Sequence, residues 1–185
     1  MKDCFKLWFW LQNKGGQMAK VNICVIGLSK QFTDDVCKQL SIKMDMFYAN
    51  VQEILEFELM DIERVEQVCG VDYVQKEERS IIRRLCTYDN TLINLDYSCL
   101  NNESNLEVVR DNCLIIYIKL DEKRFIKEQD KENITNNVKE INRDLFHDRD
   151  FLCSNFADIS VDCYDYEDDE LTNSIIQKIM KYYTI

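Results

Sequence analysis

One short segment, "NICVIGLSKQFTDDVCKQL" (22–40), gathers Gly27, Lys30, Thr33, Asp34 and Asp35 behind an apolar run. These are the residue types of a phosphate-binding turn: glycine lets successive N–H groups point inward, lysine reaches the phosphates, and a hydroxyl holds Mg²⁺. Their spacing is wrong for that chemistry. The pattern G-x-x-x-x-G-K-[ST] requires a second glycine soon after the first, and after Gly27 the next glycine is Gly70. Thr33, followed by two aspartates, reads instead as a helix N-cap. That puts Asp34 and Asp35 in the first helical turn, where carboxylates satisfy the positive helix end and repel a polyphosphate.

Other candidates lie further along. Asp96 closes an apolar run, where open parallel sheets place ligands, so it is either a replacement carboxylate or a turn-forming residue. Arg149 suits an anion, but between Asp148 and Asp150 it reads as part of a surface ion-pair cluster. His147, the single histidine, is either a general base or a solvated side chain among aspartates. The acidic run 162–170 either attracts a cation or basic partner, or forms a solvated loop that caps the last helix.

Composition narrows the classes. The net charge of −11 opposes binding to nucleic acid or anionic lipid, so neither is expected as a partner. Nine cysteines without a C-x-x-C pair read as reduced thiols in a cytoplasmic protein, and with one histidine they offer no metal site. No apolar run approaches the ~20 residues of a membrane span. With 185 residues and 46 % hydrophobic content, the chain supports one compact domain.

Residues 1–17 read as an N-terminal extension. The segment makes a poor signal peptide, and its Trp8, Phe9 and Trp10 are the makings of a short amphipathic anchor. Lys14-Gly15-Gly16-Gln17 before Met18 is also encodable as a ribosome-binding site and start codon, so the domain is expected to occupy 18–185.

Hydrophobic periodicity predicts strands at 21–27, near 46–48, and at 91–95, 113–120 and 159–163. Helices are predicted after Thr33 and over about 51–68, 72–86 and 168–183. Residues 121–148, charged and Asn-rich, read as a mobile or solvated helical excursion. Short apolar strands alternating with helices imply a parallel sheet covered on both faces.

This order resembles the shikimate kinase family. Carrying the resemblance are Arg149, Leu152 and "ADISVD" (157–162), together with Gly70, Tyr73 and Glu78 in "GVDYVQKEER". It implies an α/β three-layer, P-loop-kinase-like fold with a five-stranded parallel sheet in the order 2-3-1-4-5. It also implies Mg·ATP as cofactor, if the chain is active. Carried over position by position, the family's loop lysine falls on Thr33 and its hydroxyl on Asp34, while its second and third glycines fall on Lys30 and Phe32. The Asp-x-Asp pair falls on Ala49 and Val51. The shikimate-gripping arginine falls on Gln75 and the triple-glycine turn on Asp96-Tyr97-Ser98. The Arg-Pro lid motif has no counterpart beyond Lys127 or Lys131. The degenerate nucleotide loop is therefore Gly27, Lys30, Thr33 and Asp34, and the substrate-pocket candidates are Arg149, Gln75, Asp96 and Glu78. With no confident catalytic residue, the expectation is a degenerate relative that binds a protein partner or small molecule. The alternatives are a diverged active kinase built on Lys30, Arg149 and Asp96, and a structural oligomer subunit.

Overall fold

A computed structural model describes residues 22–132, 139–163 and 168–184. The extension 1–17 and its start-site reading lie outside the described residues, as does part of the acidic run 162–170.

Five strands form one parallel sheet: β1 (Asn22–Gly27), β2 (Phe47–Asn50), β3 (Thr91–Asp96), β4 (Cys113–Lys119) and β5 (Ile159–Asp162), in the order β2-β3-β1-β4-β5. Ile23 stands opposite Leu92 on one side and Leu114 on the other, and Gly27 opposite Asp96 and Ile118. The central strands read as near-continuous apolar runs because helices cover both faces. Cys24, Val25, Ile26, Leu114 and Ile116 are accordingly buried.

The helices are α1 (Lys30–Met44), α2 (Val51–Leu59), α3 (Ile62–Cys69), α4 (Val71–Cys86), α5 (Glu103–Asn112), α6 (Glu122–Glu132), α7 (Lys139–Phe156) and α8 (Asp168–Thr184). The helical segments expected over about 51–68 are α2 and α3. Met60 adopts φ 62° and the Asp61 carboxylate accepts from the Arg64 N–H, so the chain stops and restarts there. The excursion expected to be solvated is anchored instead. Phe125 of α6 and Phe146 of α7 are buried with ring centroids 5.3 Å apart, which ties both helices to the core.

The junction of β1 and α1 sets the upper edge of the sheet. Gly27 is required here by close approach: a Cβ at this position would lie 1.9 Å from Thr33 Oγ1. Gly27→Ala is therefore expected to destabilise the fold by about 1–3 kcal/mol through overpacking. Combining it with Thr33→Ala should recover part of that loss, so urea denaturation of the double-mutant cycle should give a coupling energy of opposite sign to the Gly27→Ala penalty.

Candidate functional site

Only Leu28 and Ser29 separate β1 from α1. Ser29, not Thr33, is the N-cap; its Oγ accepts from the Phe32 N–H at 3.4 Å. Thr33 sits inside the helix and turns its hydroxyl back onto the Ser29 carbonyl at 2.6 Å. Lys30, Gln31 and Phe32 lack the conformational freedom that makes glycine a poor helix residue, so the helix begins earlier than the Thr-Asp-Asp pattern suggested. Consequently Asp34 and Asp35 do not lie in the first turn, which carries no acid.

One turn in, Asp34 faces the sheet rather than the helix end. Its Oδ1 accepts from the Tyr48 hydroxyl, from Asn50 Nδ2 at 2.9 Å and from Asn94 Nδ2 at 3.4 Å, while Lys38 Nζ lies 2.5 Å from Oδ2. Burial would raise this carboxyl, but the hydrogen bonds from Lys38, Tyr48 and Asn50 outweigh it and hold Asp34 below its ordinary value. Burial and the neighbouring carboxylate push the Tyr48 phenol up, so it stays a donor.

Above this network lies a cleft of about 180 Å³ at the carboxyl ends of β1 and β3, walled by α2. Its lining includes Gly27, Lys30, Thr33, Asp34 and Asp96, so it brings the residues of the supposed nucleotide loop together with one substrate-pocket candidate. Asp96 Oδ1 accepts from the Ser98 N–H at 2.9 Å, and Lys30 Nζ stands 4.0 Å from its Oδ2. Glu53 and Glu56 of α2 face them from the opposite wall.

The other candidates are dispersed. Among the described residues Arg149 makes no ion pair: its guanidinium stacks 4.2 Å from the Tyr97 ring centroid, and Asp150 pairs instead with Lys119 Nζ and the Tyr117 hydroxyl, both at 2.9 Å. Delocalised guanidinium charge suits an aromatic face, which explains the exchange. Glu78, away from the cleft, accepts from the buried Asn105 Nδ2 at 3.0 Å and links α4 to α5. Gln75 and Lys127 are exposed and do not line the cleft. His147 is exposed with its ring against Phe146. The Lys131 side chain lies outside the described residues.

Sequence reasoning missed Tyr48, Asn50, Asn94, Glu53 and Glu56. Two signals were available: Asn50 precedes a helix and caps it through the Gln52 and Glu53 N–H groups, and Asn94 is a polar residue inside the apolar run "TLINL".

On the β4 side of the α1 start, Phe32 is buried beneath Arg124, whose guanidinium carbon lies 4.3 Å from the ring centroid and whose Nη1 donates to the Cys163 carbonyl at 2.9 Å. Among the described residues no group of three or more His, Cys, Asp or Glu is placed to hold a metal ion, the cysteines are free, and no helix is long and apolar enough to cross a membrane.

The family model described as shikimate kinase matches residues 35–180, beginning after the whole β1 turn. A shikimate kinase of Dehalococcoides mccartyi is 25 % identical over 177 residues, spanning 88 % of this chain and 96 % of the relative. Among solved structures, shikimate kinase from Bacteroides thetaiotaomicron superposes with a TM-score of 0.74 at 11 % identity, covering 89 % of this chain and 99 % of that one. The Acinetobacter baumannii enzyme in complex with shikimate gives 0.73 at 16 % identity, covering 87 % and 93 %. At such identities the structural likeness speaks for the fold.

The Asp34 network carries a pH signature. A carboxyl whose folded value is depressed stabilises the fold above the unfolded value of about 4, and that contribution disappears as pH falls through the folded value. Asp34→Asn is expected to cost about 1–3 kcal/mol at neutral pH. Urea midpoints of the two proteins should converge as pH falls below about 4, and a gap that stays constant with pH would assign the loss to packing.

Proposed function

The chain belongs to the shikimate kinase family, and from that premise we propose that it has kept the fold without transfer of phosphate from ATP, and acts by binding a small molecule or a protein partner. The observation that carries this reading is the early start of α1. A phosphate loop works by leaving backbone N–H groups unspent and aimed at the ligand. Here the Phe32 and Thr33 N–H groups bond to Ser29, and the segment between β1 and the helix is reduced to two residues.

Mg·ATP, which shikimate kinases use, does not suit the residues present. Thr33 replaces the loop lysine and is packed against Gly27, and Asp34 replaces the Mg²⁺-holding hydroxyl with a carboxylate already satisfied inside the protein. Phe32 and Arg124 fill the β4 side of the helix start with a stacked pair. No step through ATP is derived for this chain. Phosphoryl transfer depends almost wholly on positioning and charge stabilisation, so losing those parts removes the reaction rather than slowing it slightly.

The cleft favours the small-molecule arm. It joins the degenerate-loop residues to Asp96, one of the substrate-pocket candidates, and it remains open while the β4 side is filled. One observation favours the diverged-kinase alternative: Lys30 and Asp96 share this cleft, and Arg149 rests on Tyr97 beside it.

Calorimetric titration separates the two. Mg·ATP is expected to give no heat at millimolar concentration, with or without shikimate, and shikimate phosphorylation should not exceed that of the Lys30→Ala/Arg149→Ala variant. Micromolar binding, or turnover above that control, would restore the kinase.

A further inference from the structure

Cys86 closes α4 and Cys113 opens β4, and their Sγ atoms stand 3.8 Å apart although 27 positions separate them in the chain. Asn22 brings them together. Opposite Cys113 in the β1–β4 register, it donates through Nδ2 to the Tyr88 carbonyl at 2.7 Å and to the Cys86 carbonyl at 3.5 Å. Its Oδ1 accepts from the Thr91 N–H at 2.9 Å, so the chain leaving α4 is held against the start of the sheet. From this contact we propose that Cys86 and Cys113 form a redox modification site, which a peroxide converts to a disulfide that staples α4 to β4.

Buried thiols in contact also serve as plain core filling, and two features set this pair apart from that. Their exposure is unequal: Cys113 is fully buried, whereas Cys86 is 9 % exposed and leads into exposed Thr87 and Tyr88. A water-sized oxidant therefore meets Cys86 first. Reactivity is unequal in the same sense. Burial pushes up the thiols of Cys24, Cys37 and Cys99, that of Cys163 to about 11 and that of Cys153 to about 12, which keeps them protonated. At Cys86 the hydrogen bond from Cys113 outweighs burial and holds the thiol below its ordinary value, so Cys86 is the better nucleophile.

One hydrogen peroxide balances the reaction. The Cys86 thiolate attacks a peroxide oxygen, the O–O bond breaks, and Cys86 becomes a sulfenic acid while hydroxide leaves and takes up the thiol proton as water. Cys113 Sγ then attacks the Cys86 sulfur, the S–S bond forms, and the sulfenic oxygen departs as a second water with the Cys113 proton. The two thiols lose two electrons and the peroxide gains them. The sulfurs must close from 3.8 Å to the ~2 Å of a disulfide, a movement that falls at the ends of both elements rather than in their interiors. The staple also reaches toward the cleft wall, because Arg84, two residues before Cys86, pairs with Glu58 of α2 at 2.5 Å.

To test this, the reduced full chain is treated with hydrogen peroxide, the remaining thiols are blocked with N-ethylmaleimide in urea, and tryptic peptides are analysed by mass spectrometry without reduction. Cleavage after Arg84, Arg110 and Lys119 puts Cys86 in peptide 85–110 and Cys113 in peptide 111–119. The two peptides are expected to appear joined, two hydrogens lighter than their sum, and dithiothreitol should separate them. Peptide 85–110 also carries Cys99, so fragmentation must place the link on Cys86. Cys86→Ala should abolish the joined pair, and Cys113→Ala should leave a Cys86 sulfenic acid that dimedone captures. In the oxidised wild type the closed loop is expected to shift the unfolding equilibrium about a hundredfold toward the folded state. Links through the exposed Cys69 alone, a bond on Cys99, or joined peptides that form only when peroxide is added in urea would overturn the proposal. So would an unchanged urea midpoint, or Cys86 driven to sulfinic acid while N-ethylmaleimide still labels Cys113.

Discussion

The closeness of α1 to β1 governs the working edge of this molecule. Gly27 lets Thr33 pack where a Cβ would stand, and Ser29 closes the turn by accepting the N–H groups that a longer loop would leave facing outward. The helix thereby gains its first turn and the cap that stabilises it. The same gain uses the Phe32 and Thr33 N–H groups, of the kind from which a phosphate site is made. On the reading proposed above, stability and nucleotide binding compete for the same donors, and the Phe32 and Thr33 N–H groups are spent on the helix start.

The early helix start also fixes what faces each half of the sheet. Phe32 points toward β4 and is covered by Arg124, while Asp34, two residues on, reaches across to Tyr48, Asn50 and Asn94 on β2 and β3. One side of the strand ends is filled by an aromatic ring under a guanidinium. The other keeps a polar floor and an open cleft. Helix-forming residues occupy this turn, and the two sides of the strand ends are built differently.

The sheet was legible because period and burial agree in it. Buried parallel strands read as apolar runs, and the resemblance supplied the order 2-3-1-4-5 that the structure shows. The helix start was misjudged because Thr33-Asp34-Asp35 and Ser29 are both acceptable caps locally, and only the packing of Thr33 on Gly27 decides between them. Arg149 was misread for a related reason. Its sequence neighbours suggested ion pairs, whereas its actual partner, the Tyr97 ring, is distant in the chain. The cleft was partly legible through Asp96, but its α2 wall depends on tertiary placement of Glu53 and Glu56 that no local pattern reports.

Electrostatics at strand ends ordinarily favours anions, since helix N-termini bring partial positive charge there. In this chain that bias is offset locally. Asp96 stands against Lys30 at the α1 start, the Phe32 and Thr33 N–H groups bond to Ser29, and Asn50 caps α2 through its own side chain. Asn94 and Asp96 line the cleft together with carboxylates of α2. Side chains at the strand ends, not the sheet beneath them, determine the sign of the charge a site prefers. The strand order can therefore stay as it is while the strand ends are rebuilt, here with α1 starting at Lys30 and Arg149 lying on an aromatic face.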